Sequence, residues 1–129
     1  MTAAFDAVEA ALDGVAALDC DALTTPQWLE WLERCERLRR RIPALEHGPT
    51  NHLARQATPE ELGGKLSHVI AEWTLISRVE ASRRIKEAAD LGERRALTGQ
   101  PLAPLMAATA AAQRAGKLGC GQVAVIRRF

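Results

Sequence analysis

Apolar residues recur every three or four positions along most of this chain, which is the spacing of one face of an α-helix. The clearest run has successive separations of four, three, three and four residues: Trp28, Leu32, Cys35, Leu38 and Ile42. A threonine–proline pair precedes this run, and there Thr25 can cap a helix whose first position Pro26 occupies. Because proline removes an amide donor and restricts the residue before it, we expect this helix to stop or kink at Pro43.

The same spacing predicts a chain made of consecutive helices. The capping signals are strongest at Thr58, where Glu61 can complete a capping box, and at Ser77, where Glu80 occupies the third position. A loop is predicted over residues 97–104, which contain Gly and Pro. The predicted helices cover residues 5–18, 25–42, 58–76, 77–91, 105–115 and 121–129.

The spacing also predicts which residues of each helix face inward. In the third helix, Gly63 and Gly64 lower helix propensity, so we expect one of them to serve close packing. The residues expected to point inward from the fourth helix are Val79, Ile85, Ala88 and Ala89. Those expected on the packing side of the alanine-rich fifth helix are Leu105, Ala108, Ala112 and Ala115.

Composition supports an all-α fold. The chain has 129 residues, the size of one domain, and aromatic residues make up only 4% of it, with no tyrosine. Sheet-rich folds favour aromatic residues, so we predict a single all-α domain of about six helices in an irregular bundle. A hydrophobic content of 47% and a net charge of +1 exclude a disordered tail, a collagen-like fibre and a globally basic nucleic-acid binder.

The location of the protein is predicted from its cysteines and from the lack of targeting signals. Cys20, Cys35 and Cys120 are odd in number and widely spaced, which is typical of free, buried thiols in a reducing compartment. The start of the chain is acidic, unlike a secretory signal, and no apolar run approaches the roughly 18 residues of a membrane span. We therefore expect a cytoplasmic protein without a membrane partner.

The near-zero net charge conceals an uneven distribution. An acidic helical hairpin, residues 1–48, carries −4, residues 49–75 carry −1, and a basic region, residues 76–129, carries +6. Two helices joined by a tight junction near residues 60–91 resemble a helix-turn-helix, in which basic side chains grip DNA phosphates. The candidate phosphate contacts are Arg78, Arg83, Arg84, Lys86, Arg94 and Arg95. An ordinary solvated face remains open as an alternative, because Glu80 and Glu87 are spaced to pair with Arg83, Arg84 or Lys86.

The residue patterns of catalytic and metal sites are absent from the sequence. His47, His52 and His68 are too scattered for a zinc site, and there is no Cys-x-x-Cys pair. His68 and Glu72 share a helix face, but no nucleophile accompanies them, so we interpret the pair as structural. We expect no enzymatic activity, no metal and no cofactor.

The second half of the chain resembles the actinobacterial 13E12-repeat family. The matching positions are Glu80, Ala81, Arg84, Ala88, Leu91, Ala115, Gly116 and Gln122. The resemblance implies an N-terminal helical domain of unknown function, which in many members precedes a His-Asn-His nuclease module that binds a divalent metal. No such module is present in this sequence. Because the last predicted helix lacks a stop signal, we expect the chain to be the truncated N-terminal part of a longer family domain.

Three interpretations of function follow. The first is a non-catalytic domain that binds duplex DNA or targets a protein to it. The second is an interaction module that self-associates, or docks the missing segment, through exposed apolar faces: Val123, Ile126 and Phe129 on one side, Trp28 and Trp31 on the other. The third is a gene remnant without independent function.

Overall fold

The computed structural model describes residues 1–129 and confirms the all-α prediction. It contains seven helices: α1 (Thr2–Ala16), α2 (Thr25–Gln56), α3 (Pro59–Leu62), α4 (Leu66–Thr74), α5 (Arg78–Leu91), α6 (Ala107–Arg114) and α7 (Cys120–Ile126). The only strands, β1 (Arg94–Arg95) and β2 (Pro101–Leu102), form a small antiparallel hairpin; β1 lies just before the predicted loop and β2 lies within it. The chain divides into two compact units, Met1–Glu33 (the N-terminal unit) and Arg34–Phe129 (the C-terminal unit).

The longest helix, α2, corrects the prediction of a stop at Pro43. It continues through Pro43 and Pro49 to Gln56. Each internal proline costs about 3 kcal/mol of helix stability. Within the C-terminal unit, contacts distant in sequence help to stabilise the helix beyond Pro43: the His47 ring hydrogen-bonds to Gln113, and Asn51 Nδ2 donates to the Ala88 carbonyl at 2.7 Å. Local preference was therefore outweighed by tertiary packing.

The start of α2 lies one residue earlier than predicted. The cap is Thr24, not Thr25: Thr24 Oγ1 accepts from the Gln27 amide, and Gln27 Oε1 accepts from the Thr24 amide at 2.8 Å. These two bonds satisfy two amide groups that a helix start leaves without partners.

The predicted third helix is two helices. The capping box of Thr58 and Glu61 is present as expected. Gly63 then ends α3 with a left-handed φ of 72°, and the helical path resumes at Leu66. A side-chain carbon at Gly63 would meet nothing within 4 Å. This glycine therefore breaks the helix and does not serve close packing.

The predicted start and end of α5 are confirmed, but its inward face is only partly so. Ser77 Oγ accepts from the Glu80 amide at 3.1 Å, and the helix runs to Leu91. Ala88 is buried as expected, whereas Val79 and Ala89 are exposed. The buried positions also include Ala81 and Glu87. Ile85, also predicted to point inward, is half-buried.

The apolar core of the C-terminal unit is small. It consists of Leu91, Ala110 and Val123, with Met106 and Leu118 packed against them. Since Val123 is fully buried, the expectation that it contributes to an exposed self-association face is wrong.

The inward face predicted for α6 is also wrong. The helix buries Ala110 and Gln113, whereas of the predicted residues Ala112 is half-buried and the other three, Leu105, Ala108 and Ala115, are exposed. Alanines lie on every side of this helix, so apolar spacing could not choose the face that packs.

The three cysteines are free thiols, as expected, but they are not core residues. Cys20 and Cys35 are half-buried, and Cys120 is exposed. None of the helices combines the length and the apolar composition that spanning a membrane requires.

Candidate functional site

A buried polar chain, formed by His47, Gln113, Glu87 and Arg83, connects three helices of the C-terminal unit. Gln113 lies at its centre and is 1% exposed. Its amide nitrogen donates to Glu87 Oε1 at 2.8 Å, because a carboxylate can only accept. Gln113 Oε1 therefore faces His47 Nε2 at 2.7 Å, which requires the proton on that ring nitrogen. Each buried side-chain group of this buried polar chain has a hydrogen-bond partner, as is usual for polar groups in a protein core.

The buried polar chain reaches the surface through Arg83. Its guanidinium donates to Glu87 Oε2 at 2.5 Å and to both carboxylate oxygens of Glu80, at 2.7 and 2.8 Å. Glu80 also accepts from Arg84 at 3.0 Å, and Arg84 lies 3.5 Å from a carboxylate oxygen of Glu46. The hydrogen bonds from Arg83 lower the pKa of Glu80 from 4.5 to about 2, and Glu80 in turn raises the pKa of Arg83. These arginines and carboxylates compensate one another's charge.

A cleft of about 240 Å³ opens above this cluster, and we call it the balanced cleft. Its charged lining consists of three arginines and three glutamates: Arg39, Arg83, Arg84, Glu46, Glu80 and Glu87. Arg83 and Arg84 lie within hydrogen-bonding distance of these glutamates, and Arg39 pairs with Glu36. Opposite charges in equal number leave little net field for an ionic ligand.

A second cleft, of about 410 Å³, lies where α4 and α5 meet, and we call it the basic groove. It is lined by Lys65, Ser67, His68, Arg78, Val79, Ser82, Arg83 and Lys86, with no carboxylate among them. Lys65, Arg78 and Lys86 have neither an ion pair nor a side-chain hydrogen bond in the structure. Their positive charge is therefore available to a ligand from outside the chain.

The short connection between α4 and α5 positions the basic groove. Only residues 75–77 separate the two helices, and Leu75 turns the chain with a left-handed φ of 58°. Ser77 then caps α5, so Arg78 occupies the first position of that helix. Ala71 and Ala81 are both buried, and such small side chains allow two helices to approach closely.

The six basic residues that the sequence singled out are placed in three environments. Arg78 and Lys86 lie in the basic groove, Arg83 borders both clefts and Arg84 lies in the balanced cleft. The other two brace the hairpin: Arg94 donates to the Ala103 carbonyl at 2.8 Å, and Arg95 donates to the Gly99 carbonyl at 3.2 Å.

Sequence reasoning missed two groups of residues in these clefts. Lys65 and His68 come from the helix before the basic cluster, and the predicted tight junction was the signal that could have included them. No sequence signal pointed to the partnership of His47 and Gln113, because they lie 66 residues apart. Neither cleft holds a metal site, since no three His, Cys, Asp or Glu side chains converge.

Comparison with known proteins gives one family match and several close relatives. Residues 29–129 match the family described as a domain of unknown function, DUF222. An uncharacterized protein of Mycobacterium tuberculosis strain H37Rv is 60% identical over 127 residues, which cover 98% of this chain and 28% of that protein. A second from the same strain is 54% identical over 129 residues, covering all of this chain and 29% of that protein. An uncharacterized protein of Mycobacterium bovis is likewise 54% identical, with 28% of its length covered.

The chain thus spans less than a third of the length of these relatives. No solved structure matches it.

Proposed function

The chain belongs to the DUF222 family, and on that premise we propose that its C-terminal unit is a non-catalytic domain that binds duplex DNA. The observation that carries the proposal is the basic groove, where Lys65, Arg78 and Lys86 converge without a carboxylate. Unpaired cations in a cleft attract the phosphate backbone, and each phosphate that they neutralise releases counterions from the DNA.

The arrangement of α4 and α5 supports a helix-turn-helix type of docking. In that motif the second helix enters the major groove and its first residues reach the base edges. Here the first turn of α5 presents Arg78 together with Val79, whose side chain is 81% exposed. An exposed valine is suited to contact a thymine methyl group, whereas an arginine can reach guanine or a phosphate. In this proposal, Lys65 and Lys86 hold the backbone on the two sides of the groove.

The remaining arginines have a supporting role in the proposal. Arg84 links α5 to α2 through Glu46, and Arg83 pairs with Glu80 and Glu87 along α5 itself, so in this proposal both orient the recognition surface without meeting phosphate directly. Arg94 and Arg95 shape the hairpin that follows α5.

The wider role that we propose concerns longer proteins of the family. The resemblance to 13E12-repeat proteins suggests that this domain directs a His-Asn-His endonuclease module to DNA in relatives that carry one. The support is that resemblance and the length of the relatives, of which this chain covers 28–31%. A DNA-targeting role also fits a cytoplasmic location in a bacterium.

The salt dependence of duplex binding tests the proposal. We expect affinity for a duplex to fall steeply between about 50 and 200 mM salt, and each of Lys65→Ala, Arg78→Ala and Lys86→Ala to reduce the logarithmic slope by about one. Lys117→Ala is the matched control, since it removes one exposed cation outside the groove. Absence of binding at low salt, or an equal loss in the control, would refute the proposal.

A further inference from the structure

The N-terminal unit carries an apolar helix face that the structure leaves open. Helix α1 buries none of its residues. Its apolar residues nevertheless follow helical spacing and form one stripe: Phe5, Val8, Leu12 and Val15. Their side chains are 44–59% exposed. A contiguous apolar stripe exposed to this degree is typical of a surface that a partner covers.

The charges around this stripe indicate what kind of partner can cover it. Asp6, Glu9 and Asp13 lie on the same helix and form no ion pair. The whole N-terminal unit contains seven carboxylates and neither a lysine nor an arginine. The apolar stripe is therefore bordered by negative charge that no lysine or arginine of this unit compensates.

These charges disfavour two other occupants, an anionic membrane surface and a second copy of α1. An anionic membrane surface would repel the carboxylates, whereas helices that lie on membranes are rich in lysine and arginine. A second copy of α1 packed on the stripe would bring three more carboxylates to the interface and no lysine or arginine to pair with them. Like charges that flank a helix pair oppose its association.

We propose that α1 is a docking site for a basic amphipathic helix of a partner protein. Such a helix would lay its apolar side along Phe5, Val8, Leu12 and Val15, and its lysines or arginines would face Asp6, Glu9 and Asp13. This interaction uses the N-terminal unit and is separate from DNA binding by the C-terminal unit. The domain would then join a basic helix to a nucleic acid.

The test uses the full chain and a synthetic peptide of leucine and lysine, about 18 residues long, with leucines at helical spacing. We expect saturable one-to-one binding in a titration, with an affinity that falls as salt rises. A scrambled peptide of the same composition lacks the apolar stripe and should bind at least about tenfold more weakly. Equal binding of the scrambled peptide would overturn the proposal, because charge alone would then explain the affinity.

Two substitutions in α1 supply matched variants. Leu12→Glu and Ala10→Glu each add one carboxylate to an exposed position, the first on the stripe and the second on the opposite side of the helix. Leu12→Glu should weaken peptide binding roughly ten- to a hundredfold, and Ala10→Glu less than about threefold. Because neither position is buried, circular dichroism should show unchanged helix content. Equal effects of the two substitutions would contradict an apolar contact at the stripe.

Two further measurements check the other occupants. Sedimentation of the full chain alone should show no stripe-dependent dimer, and a dimer abolished by Leu12→Glu would replace the proposed partner with a second copy. Vesicles containing anionic lipid should not bind, and binding that Leu12→Glu removes would replace it with a membrane surface. Both results would overturn the basic-helix proposal and leave the proposed DNA binding unaffected.

Discussion

The balanced cleft and the basic groove lie along the same helix, α5, and arginine lines both. In the balanced cleft, Arg83 and Arg84 pair with glutamates that line the cleft, Arg39 pairs with Glu36 outside its lining, and the ion pairs continue into the buried polar chain. In the basic groove no carboxylate is present. The comparison teaches that a count of positive residues on a helix does not measure its capacity to bind an anion. What matters is whether the same chain already provides the counter-charge.

The largest expected effect is a loss of stability when the ion pairs of the balanced cleft are disrupted. Glu87→Ala would leave the Gln113 amide without its acceptor and remove one carboxylate from Arg83. Because Glu87 is 2% exposed, we expect a loss of about 3 kcal/mol in the free energy of unfolding, measured by urea denaturation. Lys86→Ala, one position away and exposed, should change it by less than about 0.5 kcal/mol. A loss below about 1 kcal/mol for Glu87→Ala would show that the buried polar chain contributes little to stability.

The next largest effect is a loss of DNA affinity when the cations of the basic groove are removed. A variant with alanine at Lys65, Arg78 and Lys86 should bind duplex DNA roughly ten- to a hundredfold more weakly at low salt. Its thermal midpoint should stay close to that of the parent, because none of the three side chains has a partner in the chain to lose. The opposite pattern, unchanged affinity with lowered stability, would reverse the roles assigned to the two clefts.

A smaller effect concerns acid stability. The folded-state pKa of Glu80 is about 2, below its ordinary 4.5, mainly because Arg83 donates hydrogen bonds to it. The contribution of Glu80 to stability is therefore complete above about pH 4.5 and is lost as the pH falls towards 2. Glu80→Gln should flatten the dependence of stability on pH in this window, whereas Glu60→Gln, at an exposed position of α3, should leave it unchanged. Parallel curves for Glu80→Gln and the parent would contradict the assignment.

The smallest expected effect comes from making the charge of the balanced cleft more like that of the basic groove. Glu80→Gln leaves Arg83 and Arg84 with fewer carboxylates, so the surface of α5 becomes more positive. We expect a rise of roughly two- to fivefold in affinity for duplex DNA at low salt, detectable by fluorescence anisotropy, which disappears at high salt. Glu93→Gln, a substitution outside both clefts, is the control of equal charge. A rise of the same size in the control would mean that only net charge matters.

Much of the helical architecture could be predicted from sequence, and the successes share a physical origin. The cap at Ser77 and the capping box at Thr58 form between residues three positions apart. The class of the fold follows from apolar spacing and from the scarcity of aromatic residues. The same local reasoning failed at Pro43, where contacts made by His47 and Asn51 sustain the helix. It also failed for α6, whose alanines give no contrast between faces.

The sequence by itself determined the all-α class, the helix starts at Ser77 and Thr58, and the basic character of α5, because these depend on neighbours within about one helical turn. Only the tertiary structure decided which polar and charged groups meet across helices. The spacing within α5 allows Arg83 to pair with Glu87, but it does not show that Gln113, 26 residues away, holds the other oxygen of Glu87. Nor does it show that Arg84 lies 3.5 Å from Glu46, or that Lys65 lines the same cleft as Lys86. These contacts depend on distances between side chains across packed helices, and packing alone sets those distances.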